Sequence, residues 1–251
     1  MNNIYGLIGK SLSHSFSQRY FSEKFKKENI GHVSYHLFEL ENIGKFLELI
    51  KITSELKGLN ITIPYKEAVI PFLSQLSDEA MEIGAVNTVK IERKDNQLKL
   101  LGFNTDVIGF KDSLLPLLSL NHKKALVLGS GGGAKAVCYV LRQLGIEYLI
   151  VSRNDSPFSI SYPNVNKQII NDHTLIVNTS PLGMYPNINE TPSIPYEYIT
   201  SKHFLYDLIY NPKQSLFLKK GKAQGAVIKN GEEMLILQAE ASWKIWNKTS
   251  P

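Results

Sequence analysis

The stretch that decides the fold is Lys124-Ala-Leu-Val-Leu-Gly-Ser-Gly-Gly-Gly-Ala134. After Lys124, the next four residues form a continuous apolar run, which is typical of a buried parallel strand. Gly129, Gly131 and Ala134 then match the pattern G-x-G-x-x-[GA], and a helical run over Lys135–Leu144 follows. A strand, a glycine loop and a helix in this order are typical of folds that bind a dinucleotide. The glycines permit a tight turn and close approach of a pyrophosphate, to which the helix N-terminus offers free N–H groups.

Further short apolar runs predict more strands of the same sheet. They are Tyr148–Val151, Leu175–Val177, Phe204–Tyr206 and Ala226–Ile228. Strands separated by crossovers imply a parallel α/β sheet. The stretch Asn154–Asp172 contains two prolines and several asparagines without a helical face, which predicts a degenerate crossover in place of a full helix.

The chain before Asp106 predicts a separate α/β unit. Its predicted strands are Asn3–Ile8, His32–Leu40 and Leu59–Ile63; its predicted helices are Ser17–Glu28 and Ile43–Ile52; Val86–Glu92 and Leu98–Phe103 are predicted to form a hairpin. A helix-like run over Val107–Leu120 is interrupted by Pro116, and an amphipathic helix is predicted over Gly231–Trp246. We expect two domains, one made of residues 1–106 with 231–251 and the other of residues 107–230.

Composition limits the class of protein. The 251 residues are 43% apolar and 20% charged with a net charge of +5, which excludes a disordered or fibrous chain. No apolar run reaches the roughly 18–20 residues of a membrane span, and Cys138 is the only cysteine, so we predict a cytoplasmic protein without a membrane partner. The lysines are scattered, which predicts no nucleic-acid partner. No C-x-x-C spacing is present, so we predict no metal.

The end of the second strand in the glycine-loop domain indicates which dinucleotide binds. NAD-binding folds usually place an acidic residue there to hold the ribose 2′-hydroxyl. Here Val151 is followed by Ser152 and Arg153, and an arginine pairs well with a 2′-phosphate. The sequence therefore favours NADP, although Asp155 lies two residues further on and keeps NAD open.

Polar residues follow several strands of the first domain. Each has a simple structural interpretation: Ser15, Ser17 and Asp106 as helix caps, Lys66 as a surface residue and Thr62 as an ordinary strand residue. Together they supply hydroxyls, an amine and a carboxylate, as a polyhydroxylated acid requires. A Lys and an Asp that converge on one cleft also form a proton-transfer pair.

The chain resembles the shikimate dehydrogenase family, which includes shikimate/quinate dehydrogenases. The motifs occur in the family's order and cover nearly the whole chain: His14-Ser-Phe-Ser17, Asn60-Ile-Thr-Ile-Pro-Tyr-Lys66, Gly84-Ala-Val-Asn-Thr88, Asn104-Thr-Asp106, Gly129-Ser-Gly-Gly-Gly133, Asn178-Thr-Ser-Pro-Leu-Gly-Met184, Asp207-Leu-Ile-Tyr210 and Gln238. The chain departs from the family's pattern at Gln18, where a proline is usual, and after Arg153, where a second basic residue is common.

The resemblance implies an oxidoreductase of the shikimate pathway, in chorismate and aromatic amino-acid biosynthesis. The reaction would be the reversible NADPH-dependent reduction of 3-dehydroshikimate to shikimate, with Lys66 as the acid/base and Asp106 beside it. The first domain would bind substrate, the second would be Rossmann-like and bind NADP, and the final helix would pack back on the first. The implied substrate residues are Ser15, Ser17, Thr62, Asn87, Asp106, Tyr210 and Gln238. The implied cofactor residues are Gly129, Ser130, Gly131, Gly132, Gly133, Arg153, Leu208 and Gly231.

Two alternatives stay open at the level of sequence. Because no second basic residue follows Arg153, the sequence also suits a quinate/shikimate dehydrogenase that uses both NAD and NADP. The second alternative is a regulatory module that binds a nucleotide without turnover. The intact pair of Lys66 and Asp106 argues against this alternative. The sequence leaves both a monomer and a homodimer open.

Overall fold

The computed structural model describes residues 3–12, 15–95 and 97–248. These residues form two compact units. Unit 1 comprises the described residues up to Asp106 and from Gln238 onward, and unit 2 is Val107–Leu237. The predicted functional domains, 1–106 with 231–251 and 107–230, stay a prediction. Among the described residues, no helix is long and apolar enough to cross a bilayer.

Unit 1 is built on a mixed sheet. Its strands are β1 (Asn3–Gly9), β2 (Val33–Glu39), β3 (Leu56–Ile61), β4 (Gln75–Leu76), β5 (Thr88–Lys94) and β6 (Gln97–Phe103); its helices are α1 (Phe16–Lys27), α2 (Phe46–Ile52), α3 (Tyr65–Ala68) and α4 (Asp78–Ile83). The strand order is β2-β1-β3-β5-β6-β4. The first three strands of the chain pair in parallel, β5 pairs antiparallel with β3 and β6, and β4 pairs in parallel with β6.

Alternation along the central strands divides the apolar side chains of unit 1 between two cores. In β1, Tyr5 and Leu7 pack with Phe21 of α1 and with Trp246 near the C-terminus, whereas Ile8 packs with α2 on the other face. This period of two is the geometry of a pleated strand that is covered on both faces. The sheet therefore holds the ends of its strands in fixed positions.

Unit 2 is built on a parallel sheet. Its strands are β7 (Lys124–Leu128), β8 (Glu147–Ser152), β9 (Ser159–Ser161), β10 (Leu175–Asn178), β11 (Phe204–Asp207) and β12 (Val227–Lys229). The helices are α5 (Asp106–Leu114), whose first residue belongs to unit 1, α6 (Gly132–Gln143), α7 (Lys167–Asp172), α8 (Leu216–Ala223) and α9 (Glu232–Asn247), which divides between the units at Leu237. The order β12-β11-β10-β7-β8-β9 is that of a doubly wound dinucleotide fold, with its switch point between β7 and β10. The predicted Rossmann-like domain is confirmed.

The structure differs from the sequence predictions at several element ends. β3 ends at Ile61 and not at Ile63, because Thr62 accepts a hydrogen bond from the N–H of Tyr65 and so turns the chain. α6 begins at Gly132, three residues before the predicted start. The predicted degenerate crossover after β8 is confirmed as far as residue 166, but it contains the short β9 and is followed by α7, and the sequence predicted neither element.

Candidate active site

In unit 1, the predicted proton-transfer pair comes together where α3 faces Asp106. Lys66 lies in α3, and its Nζ atom is 2.6 Å from Asp106 Oδ2. The two side chains are 17% and 9% exposed, so water screens their attraction less than at an open surface. The carbonyl oxygen of Lys66 accepts a hydrogen bond from the N–H of Val86, which anchors α3 against the loop before β5. The amine is thus held beside a carboxylate while part of its side chain stays accessible.

Asn87 holds the other oxygen of the same carboxylate. Its Nδ2 donates to Asp106 Oδ1 over 2.9 Å, and its Oδ1 accepts from the N–H of Thr105 over 2.7 Å. Gln238 of α9 is joined to this group, because Asn87 Nδ2 also lies 3.4 Å from Gln238 Oε1. Lys66, Asn87, Asp106 and Gln238 therefore form one continuous polar group, assembled from distant parts of the sequence.

The remaining predicted substrate residues of unit 1 lie directly after β3 and at the start of α1. Thr62 follows β3 and donates its N–H to the carbonyl oxygen of Ile8. Ser15 directly precedes α1 and Ser17 lies in its first turn, whereas His14 of the same motif lies outside the described residues. The hydroxyl of Ser15 is shielded from water and has no hydrogen-bond partner among the described residues. An unpaired buried hydroxyl beside the N-terminus of a 12-residue helix suits an anionic group, which both would stabilise.

Beneath this group lies a layer of buried polar residues, Tyr35, Asn60 and Ser242, to which sequence reasoning gave no role. The hydroxyl of Ser17 hydrogen-bonds that of Tyr35, which donates to Asn60 Oδ1 over 2.9 Å. Asn60 Nδ2 in turn donates to the hydroxyl of Ser242 over 2.9 Å. Burial raises the pKa of Tyr35, so its hydroxyl remains a donor. The one sequence signal for Ser242 is its place four residues after Gln238, on the same face of α9.

In unit 2, the glycine loop connects β7 to α6 as the fingerprint predicts. Gly129 adopts a φ of 119°, which favours glycine, and a Cβ there would overlap Thr179 Oγ1. Gly131 precedes α6 without a side-chain cap, and a Cβ there would meet nothing within 4 Å. Ser130 lies between these two glycines, and Gly132 and Gly133 form the first turn of α6. The first N–H groups of a 12-residue helix are therefore available to a phosphate, as a dinucleotide requires.

The loop after β8 exposes the guanidinium group of Arg153, whereas the carboxylate of Asp155 is engaged in hydrogen bonds within the loop. Arg153 directly follows β8 and is exposed. The carboxylate of Asp155 accepts from the N–H of Ser161 over 2.7 Å, from its hydroxyl over 3.1 Å and from Asn164 Nδ2 over 3.0 Å. These hydrogen bonds lower the pKa of Asp155, so its charge is held within the turn. The residue that kept NAD open in the sequence is thus engaged elsewhere, which fits NADP.

The carboxyl ends of β10 and β11 are joined by a buried carboxylate. Asp207 Oδ1 accepts from Asn178 Nδ2 and from the N–H of Ile209, each over 3.0 Å, and Oδ2 accepts from the hydroxyl of Ser215. Burial raises the pKa of Asp207 to about 7, although these three hydrogen bonds oppose the rise. Asp207 therefore fixes the backbone that immediately follows β11.

This backbone brings two predicted cofactor residues together. A Cβ on Gly231 would overlap the carbonyl oxygen of Leu208, so only glycine permits this approach. The N–H of Gly231 donates to Ile209 over 3.0 Å. Tyr210 lies on the same segment after β11, within unit 2, and its predicted contact with a substrate carboxylate stays a prediction. In residues 3–12, 15–95 and 97–248, no cluster of three or more metal-ligating side chains occurs.

Comparison with known proteins identifies the family. A family model described as the shikimate dehydrogenase substrate binding domain matches residues 7–89. A shikimate dehydrogenase (NADP(+)) from Clostridium beijerinckii is 41% identical over 98% of this chain and 92% of its own length.

Solved structures of shikimate dehydrogenases are similar to this chain over nearly its whole length. A chorismate mutase/shikimate 5-dehydrogenase fusion protein from Clostridium acetobutylicum is 38% identical with a TM-score of 0.84, covering 100% of this chain and 92% of that one. The shikimate 5-dehydrogenase from Thermus thermophilus in complex with NADP(H) and shikimate is 28% identical with a TM-score of 0.85, covering 99% of this chain and 95% of that one. The chain therefore belongs to the shikimate dehydrogenase family.

Proposed function

We propose that this protein is an NADP-dependent shikimate dehydrogenase, which reversibly reduces 3-dehydroshikimate to shikimate in chorismate and aromatic amino-acid biosynthesis. The observation that carries the proposal is the distance of 2.6 Å between Lys66 Nζ and Asp106 Oδ2. The 41% identity to a shikimate dehydrogenase (NADP(+)) supports the same reaction. A regulatory module without turnover would have no need of such a pair.

Lys66 and Asp106 act on the proton of the reaction. NADPH, when bound, supplies a hydride to the C3 carbonyl of the substrate. The oxygen of that carbonyl needs a proton as it becomes a hydroxyl, and the ammonium group of Lys66 donates it. In the reverse direction the neutral amine of Lys66 accepts this proton. Asp106 accepts a hydrogen bond from the same hydroxyl and keeps the amine oriented, while Asn87 fixes the carboxylate through Oδ1.

The other residues of unit 1 hold the substrate. Ser15 and Ser17 bind its carboxylate at the start of α1, which is supported by the Ser15 hydroxyl, because that hydroxyl has no partner in the part of the chain that the structure describes. Thr62, Asn87 and Gln238 bind the ring hydroxyls, together with Asp106. The family model for the substrate binding domain matches residues 7–89, which supports the assignment of substrate binding to unit 1. Tyr210 of unit 2 is proposed to contribute a further contact to the substrate carboxylate.

Unit 2 holds the cofactor. The residues from Gly129 to Gly133 bind the pyrophosphate through the N-terminus of α6. Arg153 pairs with the 2′-phosphate, and Leu208 and Gly231 meet the nicotinamide end through their backbone. Because the carboxylate of Asp155 is bound by Ser161 and Asn164, it is not free to select the 2′-hydroxyl of NAD. This geometry favours strict NADP use over the dual use that the sequence left open.

The proposal is tested in the direction of oxidation. Purified protein is mixed with shikimate and NADP⁺, and the rise of NADPH absorbance is followed, with quinate and NAD⁺ in parallel mixtures. Turnover of shikimate with NADP⁺, at least tenfold faster than with NAD⁺, is the expected result. Equal rates with NAD⁺ and with quinate would favour the quinate/shikimate dehydrogenase. Folded protein that binds NADP⁺ without turnover would contradict both. The cytoplasmic location and the choice between monomer and homodimer stay predictions.

A further inference from the structure

We infer that Ser242 of α9 is a positioning residue, which holds the amide of Asn87 in the orientation that the substrate and Asp106 require. This inference rests on the proposed function. Ser242 is fully buried, at 0% exposure, and its hydroxyl lies within 3.1 Å of polar atoms from four different residues.

The partners of Ser242 come from separate parts of unit 1. Asn60 Nδ2 donates to its hydroxyl over 2.9 Å, and the hydroxyl is 2.8 Å from Thr88 Oγ1 and 3.1 Å from Thr105 Oγ1. It also lies 2.9 Å from the carbonyl oxygen of Gln238, one turn earlier in α9. A buried helical serine with a purely local role needs only that last bond. Ser242 instead joins α9 to β3, to β5 and to the turn before α5.

This arrangement determines which way the Asn87 amide faces. The hydroxyls of Thr88 and Thr105 are each 3.1 Å from Asn87 Oδ1, and the N–H of Thr105 donates to the same oxygen. The N–H of Thr105 can only donate, so the oxygen of the Asn87 amide must face it, and the NH₂ group in its place would set donor against donor. Asn87 Nδ2 is therefore directed to Asp106 Oδ1. Each hydroxyl carries a single proton, so a Ser242 hydroxyl that donates to Thr88 Oγ1 over 2.8 Å leaves the proton of Thr88 for Asn87 Oδ1.

Removal of the Ser242 hydroxyl should loosen this arrangement without touching a substrate residue. In Ser242→Ala, Asn60 Nδ2 loses an acceptor, and the hydroxyls of Thr88 and Thr105 are free to turn away from Asn87. A hydroxyl-binding amide that is less well held weakens ground-state and transition-state binding alike, which raises KM. Asp106 keeps its contact with Lys66 Nζ at 2.6 Å, so kcat should stay nearly unchanged. The expected KM for shikimate is about tenfold higher, with kcat within about threefold and KM for NADP⁺ unchanged.

A matched control separates positioning from stability. Ser113 of α5 is also a serine of 0% exposure that donates to a carbonyl one turn earlier, but it belongs to unit 2 and bonds Tyr206. Ser113→Ala should lower the thermal midpoint by a similar amount and leave KM for shikimate unchanged. Equal KM values for the two variants would overturn the inference. Absence of turnover in the wild-type protein would overturn the proposed function, and this inference with it.

A second variant, at Thr88, removes a different hydroxyl from the same hydrogen-bond network around Asn87. It also covers the case in which Ser242→Ala does not fold. Thr88→Val removes the Thr88 hydroxyl and conserves the volume of a fully buried side chain. It should raise KM for shikimate by a similar factor, and the double variant should raise it by less than the product of the two factors, because both act on Asn87. A Thr88→Val enzyme with wild-type KM, or factors that simply multiply, would contradict the role assigned to Ser242.

Discussion

Lys66→Met is the substitution that most directly separates the chemistry of this site from its stability. Methionine keeps an unbranched side chain of similar length but removes the ammonium group that lies 2.6 Å from Asp106 Oδ2. General acid–base catalysis typically contributes about 10²–10⁴ in rate. That range corresponds to about 2.7–5.5 kcal/mol of activation free energy. Because Asn87 still holds the other carboxylate oxygen, Asp106 should stay in place.

The assay is the loss of NADPH absorbance with saturating 3-dehydroshikimate. We expect kcat to fall at least a hundredfold, while KM for NADPH stays within about threefold, since Lys66 belongs to unit 1 and the proposed cofactor residues to unit 2. The matched control is Lys24→Met. The Lys24 side chain is 8% exposed and pairs with Glu28 at 2.7 Å and Glu240 at 2.9 Å, also in unit 1.

Lys24→Met removes a largely buried ammonium group from two ion pairs, with Glu28 and Glu240, so a loss of thermal stability with wild-type kcat is expected. The reasoning would be refuted by a Lys66→Met enzyme that keeps kcat within tenfold of the wild type. It would equally be refuted if the two variants lost kcat in parallel, because the effect would then come from packing and not from proton transfer.

Three further predictions concern unit 2. Arg153→Gln should raise KM for NADP⁺ roughly 10- to 100-fold through loss of a charged hydrogen bond, and leave KM for NAD⁺ unchanged. Steady-state kinetics with both nucleotides would measure this difference. Equal effects on the two KM values would count against Arg153 as the 2′-phosphate ligand. Burial raises the pKa of Asp207 from 3.8 to about 7. The native state therefore keeps a proton that the unfolded state has released between those pH values, and the free energy of unfolding falls as the pH rises through this window. Asp207→Asn removes the titrating group and keeps Oδ1 as the acceptor for Asn178 and Ile209, while its NH₂ group would donate to the Ser215 hydroxyl. Urea unfolding from pH 4.5 to 7.5 should therefore show the wild type losing stability relative to the variant, and a constant difference would contradict the burial argument. Burial also raises the pKa of the Cys138 thiol to about 12, so a disulfide reagent at pH 8 should label it only after denaturation, and rapid labelling of the folded protein would disprove this.

The glycine-loop domain could be predicted from sequence because its signals are local. The apolar run of β7, the turn at Gly129 and the helix after it lie within about twenty consecutive residues, and parallel strands leave few ways to arrange the rest. The sequence predicts the start of α6 at Lys135, three residues late, because Gly132 and Gly133 have low helix propensity in isolation. In the structure these two glycines form the first turn of α6, where the absence of a side chain lets a phosphate approach the backbone N–H groups.

The layer beneath the candidate active site could not be predicted in the same way. Tyr35 and Ser242 carry no motif, and their importance comes from partners far away in sequence, such as Asn60. The role of Asp155 was also hidden, because its carboxylate is bound by residues six and nine positions later. In each case the residue type was visible, but its hydrogen-bond partner depended on tertiary structure.

The central claim is that this protein reduces 3-dehydroshikimate with NADPH. The most direct measurement is NADPH absorbance after 3-dehydroshikimate is added to the purified protein, with NADH in a parallel mixture and chromatographic identification of the product. Rapid oxidation of NADPH, much slower oxidation of NADH and one shikimate formed per NADPH consumed are the predicted result. No oxidation of either nucleotide by folded protein that still binds NADPH would contradict the account.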